Sequence, residues 1–110
     1  AGHPCPRPRR MIRIVKMTFR PEEVAPFQHL FEGWRHRIIA FPGCQQLQLL
    51  HDRQDPSVFM TYSVWASPKD LEAYRNSEVF ASVWPVVKRM FAQPAEAWSL
   101  DRDHLMDAAG

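Results

Sequence analysis

Glycine and cysteine are scarce in this sequence. Its 110 residues include four widely spaced glycines and two cysteines. The spacing of the glycines excludes a glycine-rich phosphate loop. Cys5 and Cys44 form neither a disulfide framework nor a zinc-ligand pattern, so we predict two reduced thiols in a cytoplasmic protein and no metal site.

Long apolar runs are also absent. No stretch approaches the roughly 18 apolar residues that a membrane-spanning helix needs, so no membrane association is expected. Residues 1–10 (AGHPCPRPRR) lack the apolar core of a secretory signal. Their prolines and arginines predict a disordered basic leader or an artificial extension.

Charge of one sign is missing from the body of the chain. The net charge is +2, but residues 1–10 hold three arginines and no acid, and the remainder has 11 basic and 12 acidic residues. The aromatic residues alternate with apolar residues rather than with Lys and Arg. We therefore expect no nucleic-acid partner.

Four segments rich in apolar and β-branched residues predict strands, at 11–19, 44–51, 58–65 and 95–100. The polar turn at 52–56 would join the second and third as an antiparallel hairpin. A first helix is predicted to open at Pro21 and to stop at Phe41-Pro42-Gly43. Its apolar stripe has helical spacing: Val24, Phe27, Phe31, Trp34 and Ile38.

The second helical region carries two start signals. Ser67 and Asp70 form a capping box, with Leu71 and Tyr74 on one face of the helix that follows. Ser77 is a second candidate cap. Pro85 predicts a kink or restart near 82–84, and Pro94 is expected to end the helix. The predicted stripe of this segment is Phe80, Trp84, Val87 and Phe91.

The resulting order is β-α-β-β-α-β, which predicts an α+β ferredoxin-like fold over 11–102, followed by a polar tail at 103–110. In this fold four antiparallel strands carry two helices on one face. The other face would expose Ile12 and Ile14 of the first strand and Tyr62 and Val64 of the third. We expect a second copy of the chain to cover it, giving a homodimer through the sheet face.

The sequence resembles the antibiotic biosynthesis monooxygenases from Met11 to about Arg102. The resemblance is carried by MIRIVKMTF, FPGC, HDRQDP with VFMTYSVW, SPKDLEAYRNSEVF and AWSL. It implies a dimeric α/β barrel with a pocket between sheet and helices. It also implies oxidation of an aromatic or quinol-like substrate by molecular oxygen, with no metal or other cofactor.

A heme-degrading branch shares this fold, and two of its three functional residues are missing here. Trp65 matches its tryptophan, but its ligating histidine falls at Trp84 and its asparagine near Val15. In the polyketide-oxidising branch Trp65 fits again, and Tyr74 and Arg75 lie in the region of its tyrosine and arginine. Thr61 and Ser63 stand where that branch has an asparagine.

Oxygenation without a cofactor requires an apolar pocket for a flat ring and a few donors for a developing oxyanion. We predict Trp65 and Arg13 as catalytic residues. The predicted substrate-binding residues are Met17, Trp34, Thr61, Ser63, Tyr74 and Trp84.

Each candidate also has a structural interpretation. Trp34 and Trp84 lie on helical stripes and are expected to pack in the core. Arg13 lies on an apolar strand face and needs either an acidic partner or a ligand, because an unpaired buried charge is costly. His51 is placed as an exposed turn residue or as a base at the pocket mouth. A non-catalytic dimeric module that binds a small ligand or only assembles is the alternative function.

Overall fold

A computed structural model describes residues 10–109 of the chain. It contains four strands, three helices and one short 3₁₀ turn. The strands are β1 (Met11–Phe19), β2 (Cys44–His51), β3 (Val58–Trp65) and β4 (Phe91–Leu100), and the helices are α1 (Val24–Ile39), α2 (Pro68–Arg75) and α3 (Glu78–Lys88), with the 3₁₀ turn at Pro21–Glu23.

The strands form one antiparallel sheet in the order β2-β3-β1-β4. Met17 pairs with Phe59, and both are buried, as is Phe19. Because side chains alternate across a strand, the odd-numbered residues of β1 and β3 share the face that the helices cover. The predicted α+β ferredoxin-like architecture is confirmed.

The connection from α1 to β2 depends on Gly43, whose φ is +90°. Residues with a β-carbon rarely adopt this conformation. The turn brings Cys44 into register with Trp65 at the end of β3. The predicted end of α1 at Phe41-Pro42-Gly43 is therefore confirmed, and α1 buries Phe27, Phe31 and Ile38 from its predicted stripe.

The second helical region is two helices rather than one. The Ser67 side chain caps α2 by accepting from the Asp70 amide, and Ser77 caps α3 by accepting from Phe80. The break therefore lies at the second cap. The restart predicted near 82–84 is wrong, because α3 continues through Pro85 to Lys88.

Strand β4 begins at Phe91, four residues earlier than predicted. Phe91 thus belongs to the sheet and not to a helical stripe, and Pro94 lies inside the strand instead of ending a helix. Between Lys16 and Thr18 on β1 the partner changes from Glu96 to Gln93, which leaves an extra residue on β4. An edge strand with such a bulge tolerates proline, because fewer of its amides are needed for pairing.

The helices and the sheet enclose two buried clusters. The larger contains the phenylalanines of β1, α1 and β3, with Met17, Val83 and Val87; the smaller contains Met11, Trp65 and Leu71. Within residues 10–109, no helix is long and apolar enough to cross a membrane.

The opposite face of the sheet has no helix against it. Its cross-strand neighbours include Ile14 with Tyr62 and Trp98, and Ile12 with Val64 and Leu100. Leu50, Trp98 and Leu100 on this face are 45%, 42% and 42% exposed. The apolar face predicted from the alternation of β1 and β3 is present, and we call it the bare face below. The predicted exposure of Val64 is wrong, because this residue is only 7% exposed.

Candidate functional site

A cavity of about 330 Å³ lies between the sheet and the helices. Its origin is the size of the side chains on the covered face. Large residues lie towards both ends of the sheet, including Phe19 and Phe59 at one end and Trp65 at the other. The middle carries small ones, because Val15 pairs with both Thr61 and Ala97. The cavity therefore exists because the side chains in the middle of the strands are smaller than those at the ends.

All eight predicted site residues line this one cavity. Arg13 and Met17 come from β1; Thr61, Ser63 and Trp65 from β3; Trp34 from α1; Tyr74 from α2; and Trp84 from α3. Trp34 and Trp84 are half-buried, so they belong to the cavity wall as well as to their helical stripes.

A chain of hydrogen bonds connects the polar residues of the wall. The indole Nε1 of Trp65, which is 1% exposed, donates to Ser63 Oγ at 3.0 Å. Ser63 Oγ donates to the carbonyl oxygen of Arg13 at 3.3 Å. Because its hydrogen is already used, Ser63 orients Trp65 rather than donating to a ligand. Thr61 keeps its hydroxyl available, since none of the described residues bonds to it.

Arg13 has no acidic partner in the described part of the chain. Its Nη1 donates to Ser99 Oγ, its cross-strand neighbour on β4, at 2.8 Å. Of the two alternatives for Arg13, an acidic partner or a ligand, the acidic partner is absent from residues 10–109. Burial lowers the pKa of Arg13 from its usual value, and the positive charge of Arg75 lowers it further. The guanidinium still carries its charge at neutral pH.

Aromatic rings form one wall of the cavity. The Tyr74 ring lies 5.1 Å from that of Trp65 and 5.4 Å from that of Phe80, and Phe80 stacks on Trp84 at 5.7 Å. Burial raises the pKa of Tyr74 to about 12, with a smaller contribution from Cys44. Tyr74 therefore stays protonated at neutral pH and can act as a donor but not as a base.

Sequence reasoning missed several wall residues. Ala95 and Ala97 line the cavity, but their role follows only from the register between β4 and β1. Phe80 and Val83 line it as part of α3. Arg75 was linked to the site only by the family resemblance. Its place at the C-terminal end of α2 was the signal in the sequence that could have identified it.

His51 is not part of this site. It is exposed, lies outside the cavity wall and contacts the ring of Phe59 at 5.9 Å. Over residues 10–109, no three His, Cys, Asp or Glu side chains are grouped closely enough to hold a metal ion. Cys44 is a free thiol whose pKa is raised by burial, and Cys5 lies outside the described residues.

Comparison with solved structures places this fold among known proteins. The chain has a TM-score of 0.81 and 16% identity to a conserved protein from Methanosarcina mazei Go1, covering 86% of this chain and 93% of that one. For PA3566 from Pseudomonas aeruginosa the TM-score is 0.77 and the identity 23%, covering 92% and 98%. For a crystal structure of an antibiotic biosynthesis monooxygenase the TM-score is 0.79 and the identity 20%, covering 84% of this chain and 97% of that one.

At these identities the structural likenesses show the fold alone. Comparison with curated protein sequences gives no match. The family model for antibiotic biosynthesis monooxygenases matches residues 10–83, which is more than half of the chain. This chain therefore belongs to the antibiotic biosynthesis monooxygenase family.

Proposed function

We propose that this protein is a cofactor-independent monooxygenase that oxidises a small aromatic or quinol-like substrate with molecular oxygen. The observation that carries the proposal is the cavity of about 330 Å³, walled by aromatic rings and containing the cation of Arg13, which has no acidic partner within residues 10–109. Its volume falls in the range of small-molecule sites. Membership of the family supports the reaction class.

The reaction asks two things of the protein. The substrate must lose a proton to become an electron-rich anion, and that anion must be held away from water while it reduces oxygen. For an anthrone, a ring methylene becomes a carbonyl: one oxygen atom enters the substrate, and the other leaves as water with the two hydrogens. The half-buried rings of Trp34 and Trp84 form apolar surfaces suited to such a flat substrate, and the buried ring of Trp65 packs behind the wall.

Arg13 is the group suited to the anion. A fixed guanidinium in a poorly hydrated cavity stabilises a developing oxyanion more strongly than water does, and the bond to Ser99 holds it in place. Tyr74 can donate a hydrogen bond to a reduced oxygen species, because its raised pKa keeps it protonated.

None of the wall residues that the structure describes is His, Asp or Glu. The cavity thus supplies no side-chain base of ordinary pKa. We infer that Arg13 lowers the pKa of the substrate itself, so that water accepts the proton. This favours substrates that are already acidic, such as anthrones and hydroquinones.

We also propose that two copies associate through the bare face. Leu50, Trp98 and Leu100 are exposed there beside the partly buried Ile12, Ile14 and Tyr62, and such an apolar patch is unfavourable in a lone chain. A second copy presents the same surface, which a two-fold axis makes self-complementary.

Oxygen consumption with a panel of anthrones and hydroquinones tests the activity. We expect turnover by the wild type. Arg13→Ala should lower kcat/KM by about 100-fold or more, as for loss of an oxyanion donor. Trp65→Phe should lower it by about tenfold through poorer substrate positioning.

Arg53→Ala is the matched control, because Arg53 is exposed in the turn between β2 and β3; its activity should equal that of the wild type. Equal loss in Arg53→Ala and Arg13→Ala would contradict the role of the cavity.

The missing base also favours a second candidate, a non-catalytic module that binds an aromatic ligand. It predicts that the same panel binds to the wild type, measured by quenching of tryptophan fluorescence, without consumption of oxygen. That pair of results would replace the first proposal by the second.

A further inference from the structure

The cavity carries two cations from opposite layers of the fold. Arg13 projects from β1 in the sheet, and Arg75 ends α2 above it; both line the wall. Aspartate and glutamate are absent from the wall residues that the structure describes. Neither arginine makes an ion pair with another residue of the range 10–109.

The two charges are close enough to influence each other, since Arg75 contributes to the lowered pKa of Arg13. Burial of Arg13 and the nearby charge of Arg75 both disfavour the charged form of Arg13, so an anion beside Arg13 would be stabilising. A single transient oxyanion accounts for one guanidinium. The second cation requires a different explanation.

The two arginines differ in mobility and position. Arg13 is half-buried and fixed by Ser99, whereas Arg75 is exposed. Arg75 also borders a neighbouring groove that contains the carboxylates of Glu72 and Asp101. These acids lie outside the cavity wall, so the electropositive end of the cavity faces inward, between β1 and α2.

We infer that the natural ligand is an aromatic acid, in which a permanent carboxylate lies between Arg13 and Arg75 and the flat ring lies against the half-buried ring of Trp84. A carboxylate is planar and matches the paired donors of a guanidinium. This inference rests on the proposed function for the aromatic site, and it adds the charge of the substrate and its orientation.

Binding of 2-naphthoate and of its neutral analogue 2-naphthamide to the full-length wild type tests it. The two probes share a ring and differ in charge, and affinity is measured by calorimetry at low ionic strength. We expect naphthoate to bind at least about tenfold more tightly, as one charge-assisted hydrogen bond provides. Added salt should reduce this preference.

The variants locate the effect. Arg75→Gln and Arg13→Gln should each bring the two affinities to within about threefold, because naphthoate loses more affinity than naphthamide does. Arg53→Gln removes the same charge at an exposed turn and should retain the full preference. Arg75 is exposed, so its substitution tests the inference even if Arg13→Gln fails to fold.

Equal affinities in the wild type, or an equal loss of preference in Arg53→Gln, would overturn the inference. Its failure is separable from that of the proposed function. Turnover of neutral anthrones with no preference for naphthoate would leave the oxygenase proposal standing and this one refuted. A strong preference for naphthoate without any oxygen consumption would do the reverse.

Discussion

The hydroxyl of Ser63 on β3 forms hydrogen bonds with the backbone of β1 and with the side chain of Trp65, which lies on β3 as well. It accepts from Trp65 and donates to the carbonyl of Arg13, and both Ser63 and Trp65 are buried. A buried indole N–H without an acceptor costs about 1 to 3 kcal/mol. The bond therefore fixes the plane of the Trp65 ring, which forms one surface of the cavity.

Tyr74 provides a prediction about pH at the residue scale. In Tyr62→Phe, Tyr74 is the only tyrosine. Its phenolate absorbance should rise with a midpoint near pH 12 in the folded protein and near about 10 in urea. The cause is burial among aromatic rings, which disfavours the charged phenolate. A spectrophotometric titration of both states measures the difference.

The sign of the linked stability follows. The folded state holds the Tyr74 proton more tightly, so the contribution to stability is complete below about pH 10 and is lost as the pH rises towards 12. Between pH 9 and 11 the free energy of unfolding should fall more in the wild type than in Tyr74→Phe. Coincident midpoints in the folded and urea-unfolded states would show that Tyr74 is not desolvated.

The site residues on β1 and β3 were predictable because of strand alternation. Residues 61, 63 and 65 must share a face, and Arg13 stands out as a charge on an apolar face. The network between them was not predictable, since it depends on the register that pairs Arg13 with Ser63 and Ser99. Nothing in the sequence shows that the hydroxyl of Ser63 is committed to the backbone.

At the scale of elements, the turn before β2 and the cap of α2 are coupled. A β-carbon on Gly43 would overlap the Asp70 side chain. The Oδ2 of Asp70 accepts from Ser67 Oγ at 2.8 Å within the capping box. Glycine at position 43 therefore allows the positive φ of the turn and also leaves space for the Asp70 side chain at the start of α2. This is the helix that carries Tyr74 and Arg75.

A pair of glycine substitutions tests this coupling. Gly43→Ala should lower the free energy of unfolding by about 2 to 4 kcal/mol, from backbone strain together with overlap. Gly33→Ala is the matched control: it lies in α1 with nothing near its β-carbon position, and it should stabilise by about 0.5 to 1 kcal/mol. Urea denaturation measures both. A Gly43→Ala protein as stable as the wild type would contradict the overlap.

The elements themselves followed from local patterns wherever one signal dominated. The caps at Ser67 and Ser77 and the apolar stripe of α1 were readable because their chemistry is local. Two prolines, Pro85 and Pro94, were misread, because their effect depends on tertiary context. Pro85 is accommodated within α3, and Pro94 lies in an edge strand beside a bulge.

At the scale of the whole molecule, one sheet separates two surfaces with different roles. The covered face holds the cavity between two buried clusters, and the bare face carries exposed apolar residues. Few charges lie on that second surface: Lys16 and Glu96 are opposite each other on β1 and β4, and Arg102 donates to the Tyr62 hydroxyl at 3.2 Å. This neutral, apolar composition is what a symmetric contact between two copies requires.

Two leucines of similar exposure allow a matched test of the bare face, because one lies on this face and the other lies on a helix. Leu50 is 45% exposed on β2 opposite Met60, and Leu30 is 36% exposed on α1. Sedimentation velocity at micromolar concentration should show the wild type at twice the chain mass of 12.9 kDa. Leu50→Glu should weaken the dimer by at least about tenfold, because a carboxylate would be buried without a partner.

Leu30→Glu introduces the same charge on the opposite layer and should sediment as the wild type does. Equal effects of the two substitutions would indicate a general loss of stability instead of a specific interface. A wild type that stays at the mass of one chain at tens of micromolar would refute the dimer, because the bare face would then be stable in water. The cavity lies on the other face, so naphthoate binding should persist in Leu50→Glu and thereby separate assembly from ligand recognition.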